Sequence, residues 1–483
     1  MDLEEIVRRL HNFDRTEDEI IQILSKHGIQ EHFSRALLLE IENSEQLPGL
    51  SDELRKLISP ISSGLQAGFS GLGSRGDGDF IIHRAIATVA ATTTGTALNE
   101  TGSVKGSTDL IIGPDSQDDG GVVRLPDNAN CRQEHSHYLV TSVDGLHSRL
   151  SHFPFLAGFH VARACLRDVL VMGARPVALF SDVHLANNGD PAVILDYTAG
   201  ISVVGEAIGV PLVAGSTLRI GGDLVTGDRL SGAAGAVGVT SHITPRKALQ
   251  PGDVLVMSRG SGGGTITATA LFHGSPAILE ETLNIDFLRF TKRLVEDPVI
   301  HEVHTMTDVT NGGIRGDLRE MAHTAGVDII LDPLAFRGLL QPRVLEMLES
   351  YKIDPMGVSI DALLVACPTL VSDRIVELMK EDGIDGAVIG YVEACPGNTR
   401  DHEDNGPDDM NSEIMGRVFT EDPCTGMREE MMGKFRESPY TPVKEVADAE
   451  KMDPKVVRER MELAVRESER KKQWVRERLS RGR

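Results

Sequence analysis

The chain has 483 residues, 40% of them hydrophobic, 49 of them glycine and only 4% aromatic. That balance excludes a fibrous or disordered protein, sets two compact domains plus appendages as the expectation, and leaves small aliphatic side chains to fill the core. Lysine and arginine number 49 against 72 aspartates and glutamates, a net charge of −23 that repels nucleic acid and anionic membranes over most of the surface.

Residues 1–62 read as a helical extension. Leu3, Ile6, Val7 and Leu10 recur at helical spacing, Thr16 and Glu19 have the spacing of a capping box, and Gly28 supplies a stop. A short helix over Ser51–Ile58 ends at Pro60, and glycine and serine dominate Ser62–Gly78. From Asp109 onward apolar strand-like runs alternate with helical ones. Strands are expected at Gly121–Leu125, Tyr138–Val143, Pro176–Val183, Val210–Ala214 and Ala233–Thr240, and helices at Phe159–Met172 and Ala192–Ile208. Pro245 and the Pro251-Gly252 turn mark a boundary, which gives one α/β domain over 63–241 and a second over 242–395. Residues 396–420 read as an acidic linker and 421–483 as a helical tail. In that tail Asp453 caps a helix reaching Leu479, roughly 40 Å long at 1.5 Å per residue. A helix of this kind needs a surface to dock on, either the acidic body of its own chain, a sister subunit or a protein partner.

The five cysteines, Cys131, Cys165, Cys367, Cys395 and Cys424, form no C-x-x-C pair, which points to free thiols in a reducing compartment. No leader-like segment opens the sequence, and its most apolar stretch, Pro191–Gly215, is broken by Asp196 and Glu206. A cytoplasmic protein is expected.

Chemistry is concentrated in four acidic motifs: Asp118-Asp119-Gly120-Gly121, Ser142-Val143-Asp144-Gly145, Arg167-Asp168 ahead of Met172-Gly173-Ala174, and Thr307-Asp308-Val309-Thr310-Asn311-Gly312-Gly313. Each places a carboxylate where a strand ends or a helix begins, the positions at which α/β folds expose side chains to a cleft. Taken singly, each also fits a turn or a helix cap. Carboxylates about 4 Å apart repel by about 4 kcal/mol at an effective dielectric of 20, so converging acids require a cation, and oxygen-only ligands suit magnesium. Gly260–Gly264 follows a strand-like run and precedes a helix, so its amides could face an anion or simply make a tight turn. His147, His152, His160 and His184 are dispersed among the acidic motifs as surface, capping or substrate-contact residues.

Taken in order, Asp118–Val122, Thr141–Gly145, Ala164–Pro176, Val213–Thr217, Leu230–Val239 and Met306–Met321 resemble successive signatures of the aminoimidazole ribonucleotide synthetase-like superfamily, across roughly three hundred residues. The resemblance implies a two-domain α/β fold whose first domain pairs with its copy to close a dimeric β-barrel. It also implies ATP in the cleft, with Asp119, Asp144 and Asp168 holding Mg2+ against the triphosphate, Asp308 completing the site and Asp118 as an extra ligand. Lys105, Gly145, Gly173, Gly312 and Gly313 are the further nucleotide-binding positions it suggests.

The expected activity is ATP- and Mg2+-dependent phosphoryl transfer to an oxygen of a small metabolite. The alternative is a nucleotide-binding regulatory or assembly protein that docks a partner through its C-terminal helix. Arg167 stands where many relatives have asparagine, and Gly215-Ser216-Thr217 where they have an acid-bearing loop. The chain has no cysteine before Cys131 and ends Arg481-Gly482-Arg483, so neither the cysteine chemistry of selenophosphate synthetases nor that of the hydrogenase maturation dehydratase is expected.

Overall fold

The computed structural model describes residues 15–46, 51–65, 76–91, 110–113, 118–125, 137–186, 188–220, 228–310, 312–396, 416–434 and 453–481, with a few isolated positions besides. The N-terminal extension contains α1 (Glu17–Lys26), α2 (Glu31–Gln46) and α3 (Asp52–Ile58). The capping box forms as expected: the Glu19 amide donates to the Thr16 hydroxyl, and the Thr16 amide donates to the Glu19 carboxylate. Val7, Ile20, Leu24, Leu38 and Ile41 close a small separate core beneath these helices. Leu3, Ile6 and Lys105 lie outside the described residues, as does Cys131.

The first domain follows α4 (Asp77–Ala91) with β1 (Leu110–Ile112), β2 (Gly121–Arg124), β3 (Tyr138–Gly145), α5 (Pro154–Val171), β4 (Arg175–Ala186), α6 (Ala192–Ile208), β5 (Leu212–Ile220) and β6 (Leu230–Thr240). Its sheet runs β1-β2-β3-β6-β4-β5. β3 pairs antiparallel with β6 from Tyr138↔Thr240 to Gly145↔Ala233, and α6 makes the crossover that lets β4 and β5 run parallel. β5 is longer than expected and includes Gly215, Ser216 and Thr217, because its partner β4 continues through Ala186 and supplies ladder positions along that length. Helices α5 and α6 meet through glycines: a Cβ on Gly158 would sit 2.0 Å from the Tyr197 carbonyl oxygen, and one on Gly200 2.1 Å from that of Phe155.

The second domain contains β7 (Asp253–Ser258), α7 (Gly264–Phe272), α8 (Asp286–Glu296), β8 (Thr305–Val309), α9 (Gly313–Ala325), β9 (Val327–Leu331), β10 (Ala362–Pro368), α10 (Thr369–Glu381) and β11 (Gly386–Ala394). The expected linker and tail need correction. β12 (Val418–Glu421) pairs parallel with β9, and β13 (Arg428–Glu430) pairs with β12, so the second sheet reads β13-β12-β9-β11-β7-β10-β8. The unpaired edge of β9 accounts for this, since it offers backbone groups that a returning strand satisfies. Within 421–483, α11 (Pro454–Arg481) is helical as expected and packs on α4 of its own chain.

Side-chain alternation divides the core. Leu255, Met257, Leu364 and Ala366 face a cluster with Ile266 of α7 and Ile314 and Leu318 of α9. Val256, Leu363 and Val365 face the opposite cluster, which contains Phe287 and Phe290 of α8 together with Val169 and Leu170 of α5 and Ala234 and Ala236 of β6. One continuous apolar layer therefore joins the domains, with α5 in its middle. Among the described residues no helix is long and apolar enough to cross a membrane, and Cys165, Cys367, Cys395 and Cys424 are free thiols.

Candidate functional site

Because α5 lies between the first sheet and the second domain, successive turns of one helix reach both. Arg163 and Arg167, four residues apart, project from one face toward the second domain. Asp168, one residue on, turns toward β3, where the Ser142 hydroxyl donates to its carboxylate at 2.7 Å. Arg167 is held between Asp308 of β8 and Asp361, the residue just before β10, and Arg163 also reaches Asp361 while donating to the Thr282 carbonyl at 2.7 Å. Asp361 adopts φ 56°, a left-handed conformation uncommon for a side-chain-bearing residue, and it is buried. Its two arginines hold its carboxyl below the usual range despite the opposing effect of burial.

A second arginine network begins in the segment between the domains. Arg246 is 1% exposed; its guanidinium donates to Asp119 at 2.6 Å, to Glu320 of α9 at 2.6 Å and to the Thr307 hydroxyl at 2.9 Å. Thr307 in turn donates to Asp119 at 2.7 Å, and the Arg246 amide donates to Asp118 at 2.7 Å. The other carboxylate oxygen of Asp118 is buried without a hydrogen-bond partner, and burial pushes this carboxyl above its ordinary value, with Arg246 opposing.

Two cavities meet at Asp144 and Asp168. The larger, about 500 Å³, is lined by Asp118, Asp119, Gly120, Gly121, Ser142 and Glu320 as well as these two acids. The smaller, about 130 Å³, is lined by Arg163, Arg167, His147, His160, Gly263 and Asp361 beyond the same pair. Burial pushes the Asp168 carboxyl well up, and Asp144 and Asp308 push it further, with Arg167 opposing. The arrangement therefore favours a proton or a cation on Asp168. Among the described residues no three carboxylates, imidazoles or thiols converge closely enough to hold a metal ion alone. Magnesium commonly uses one or two carboxylates together with waters and phosphate oxygens, and the pair Asp144 and Asp168, which lines both cavities, is compatible with that donor set.

Of the expected acids, Asp118, Asp119, Asp144 and Asp168 line the cleft, whereas Asp308 lines neither cavity and is engaged by Arg167 and by the Thr310 hydroxyl at 3.0 Å. Gly145 lines the smaller cavity. Gly173, Gly312 and Gly313 line neither cavity. Gly173 turns the chain after α5 with φ 77° and backs onto the His242 carbonyl, and Gly312 and Gly313 form the left-handed turn into α9. His147 and His160 border the smaller cavity, but His160 is fully buried, accepts or donates at Thr267, and is pushed down to about 3 by burial, so it stays neutral. His152 contacts Arg229, and His184 lies near Asp182.

Arg163, Arg246, Glu320 and Asp361 were not foreseen. The only sequence signal is charge inside otherwise apolar or signature stretches, such as Arg163 in α5 and Glu320 within Met306–Met321.

Residues 117–240 match the AIR synthase related protein N-terminal domain, and residues 250–403 match the AIR synthase related protein C-terminal domain. An uncharacterized protein of Methanocaldococcus jannaschii is 42% identical over 98% of this chain and 97% of its own length. A selenide, water dikinase of Burkholderia ambifaria is 27% identical over 59% of this chain and 84% of its own. Among solved structures, the hydrogenase maturation protein HypE in complex with ATP shares the fold, with a TM-score of 0.50 and 18% identity over 65% of this chain and 90% of that one. The two domain matches, in order and joined by one apolar layer, make this chain a member of the AIR synthase related protein family.

Proposed function

We propose that the chain is an ATP- and magnesium-dependent enzyme that transfers a phosphoryl group to an oxygen of a small metabolite. The observation that carries this reading is the Asp144–Asp168 junction, where a larger acid-lined cavity meets a smaller one lined by Arg163 and Arg167. The larger cavity suits a nucleotide triphosphate, and the smaller suits the transferred group and its acceptor. Relatives bearing the names selenide, water dikinase and HypE in complex with ATP support the use of ATP. Asp144, Asp168 and Asp118 are the proposed metal ligands, with Asp119 and Asp308 joining once their arginines turn to phosphate. Magnesium held by those acids would supply positive charge that offsets the negative charge developing on a phosphoryl group during transfer. Lys105 and Gly145 are proposed to contact phosphate, while Gly173, Gly312 and Gly313 shape the backbone behind the site.

Among the described residues Val143 and Leu218 are 64% and 56% exposed on one face of the first sheet, which supports a homodimer. Isothermal titration of the chain with ATP and Mg2+ tests the reading. It requires Mg2+-dependent binding that Asp144→Asn weakens, and absence of binding would sink it. The arginine clamp on Asp308 favours a second reading, a nucleotide-holding protein without turnover that docks a partner through α11. ATP hydrolysis stimulated by a member of a metabolite library would decide against that alternative.

A further inference from the structure

Outside the acidic cleft, the chain's terminal extensions enclose a second cavity of about 400 Å³ between α4, α9, β12 and the start of α11. Its lining combines two chemistries: Arg84 of α4 and Arg458 of α11 supply guanidiniums, and Phe80, Ile81, Met431 and Pro454 supply apolar surface. The other arginines at this cavity are neutralised locally: Arg319 pairs with Asp77 at 3.1 Å and Arg417 with Asp328 at 3.1 Å. Arg84 and Arg458 make no ion pair among the described residues. The Arg84 guanidinium instead donates to the His323 ring at 2.7 Å.

Two guanidiniums without an ion pair of their own are unexpected in a chain of net charge −23, and the acids that share their cavity, Glu320 and Glu430, do not pair with them. Burial and the repulsion of Arg458 hold Arg84 below its ordinary value, with Glu320 opposing. Mutual repulsion of this kind is relieved by an anion set between the two forks, and a dianionic phosphate offers oxygens to both. The volume lies in the range of small-molecule sites, and the apolar lining leaves room for a hydrocarbon or ring portion.

We propose that this cavity is a second ligand site, separate from the Asp144–Asp168 cleft, that takes a small phosphate monoester with its phosphate between Arg84 and Arg458 and its organic part against Phe80 and Met431. The site exists only because α4 and α11 pack on the second domain, which gives both extensions a role. It also reaches the acidic cleft. Glu320 lines both cavities and holds Arg246, the partner of Asp119. A phosphate near Arg84 therefore changes the charge balance felt by Glu320 and, through Arg246, by Asp119.

The test titrates phenyl phosphate and inorganic phosphate into the full-length chain by calorimetry, using wild type, Asp144→Asn, Arg84→Lys and the double variant Arg84→Gln/Arg458→Gln. Unchanged thermal midpoints without ligand verify that the variants fold. The expected result is binding of phenyl phosphate to wild type and Asp144→Asn alike, an intermediate affinity for Arg84→Lys, and a loss of at least about tenfold in the double variant. Absence of binding at millimolar concentration overturns the proposal, and so does binding indifferent to the double substitution. Binding abolished by Asp144→Asn assigns the ligand to the other cleft and overturns it too. Inorganic phosphate binding as tightly as phenyl phosphate overturns the monoester assignment, because the apolar lining then contributes nothing. Since Asp144→Asn disables only the acidic cleft, failure here and failure of the ATP reading give different patterns.

Discussion

Asp119 and Asp308 each carry a guanidinium, from Arg246 and Arg167, whereas Asp168 receives its hydrogen bond from the uncharged Ser142 hydroxyl and faces two other carboxylates. Asp119 and Asp308 have side chains almost fully withdrawn from water and Asp168 is half-buried at the junction of the cavities, so the three differ in what neutralises them and in what can still reach them. Two positions of the acidic set have their cation built into the chain, and the third leaves it to be supplied. This division explains how so many carboxylates coexist in one cleft without the several kcal/mol of repulsion that unscreened neighbours would suffer.

The largest expected effect tests the built-in side. Arg246→Met leaves Asp119 and Glu320 buried without their cation, and removal of one partner from such a pair costs about 3–5 kcal/mol. Urea unfolding measures it; a midpoint equal to that of wild type would mean that Arg246 is not standing in for a bound cation. On the other side, Asp144→Asn is expected to weaken Mg2+-dependent ATP binding by at least about tenfold, the loss produced even by groups one step removed from a metal. Calorimetry with and without Mg2+ reads the difference, and equal binding in both would erase the distinction between the two kinds of acid.

These contrasts were only partly readable from the sequence. The Asp-Gly motifs are visible because strand ends carry acids next to glycine, and the apolar run over Ala192–Ile208 is legible as the helix α6 that the structure shows. The arginine partners were not visible, since Arg246 joins Asp119 and Glu320 from segments over seventy positions away in either direction, a pairing set by tertiary packing. β5 was cut short for a related reason. Gly215-Ser216-Thr217 has loop composition, yet the β4 ladder holds it extended. Asp361 carries no local signal at all, because its importance comes from a left-handed backbone that presents it to two arginines of α5.

A pH series tests Asp168 itself. Its folded pKa lies above its unfolded value near 3.9, so the native protein retains a proton that the unfolded chain releases. The stabilisation is complete below that unfolded value and is lost as pH rises toward the folded one, at up to about 1.4 kcal/mol per pH unit for one proton. Without divalent cation, thermal midpoints should fall across this window. Asp168→Asn should flatten the fall, and Mg2+ should shift it to lower pH by competing with the proton. A profile insensitive to both changes would show that Asp168 does not await a cation.

The smallest effect concerns the hydroxyl that Asp168 already has. Ser142 donates to the carboxylate at 2.7 Å, and donation favours the charged form, so Ser142→Ala should raise the proton affinity of Asp168 and move the pH-dependent fall to higher pH. The direct cost in stability is about 1 kcal/mol, the usual net value of one hydrogen bond. A double-mutant cycle with Asp168→Asn separates this link from simple loss of packing. If the hydroxyl acts through the carboxylate, the shift caused by Ser142→Ala vanishes in the Asp168→Asn background. If the two substitutions add without interaction, Ser142 only fills space on β3, and the contrast between arginine-held and cation-seeking acids must rest on Asp144 alone.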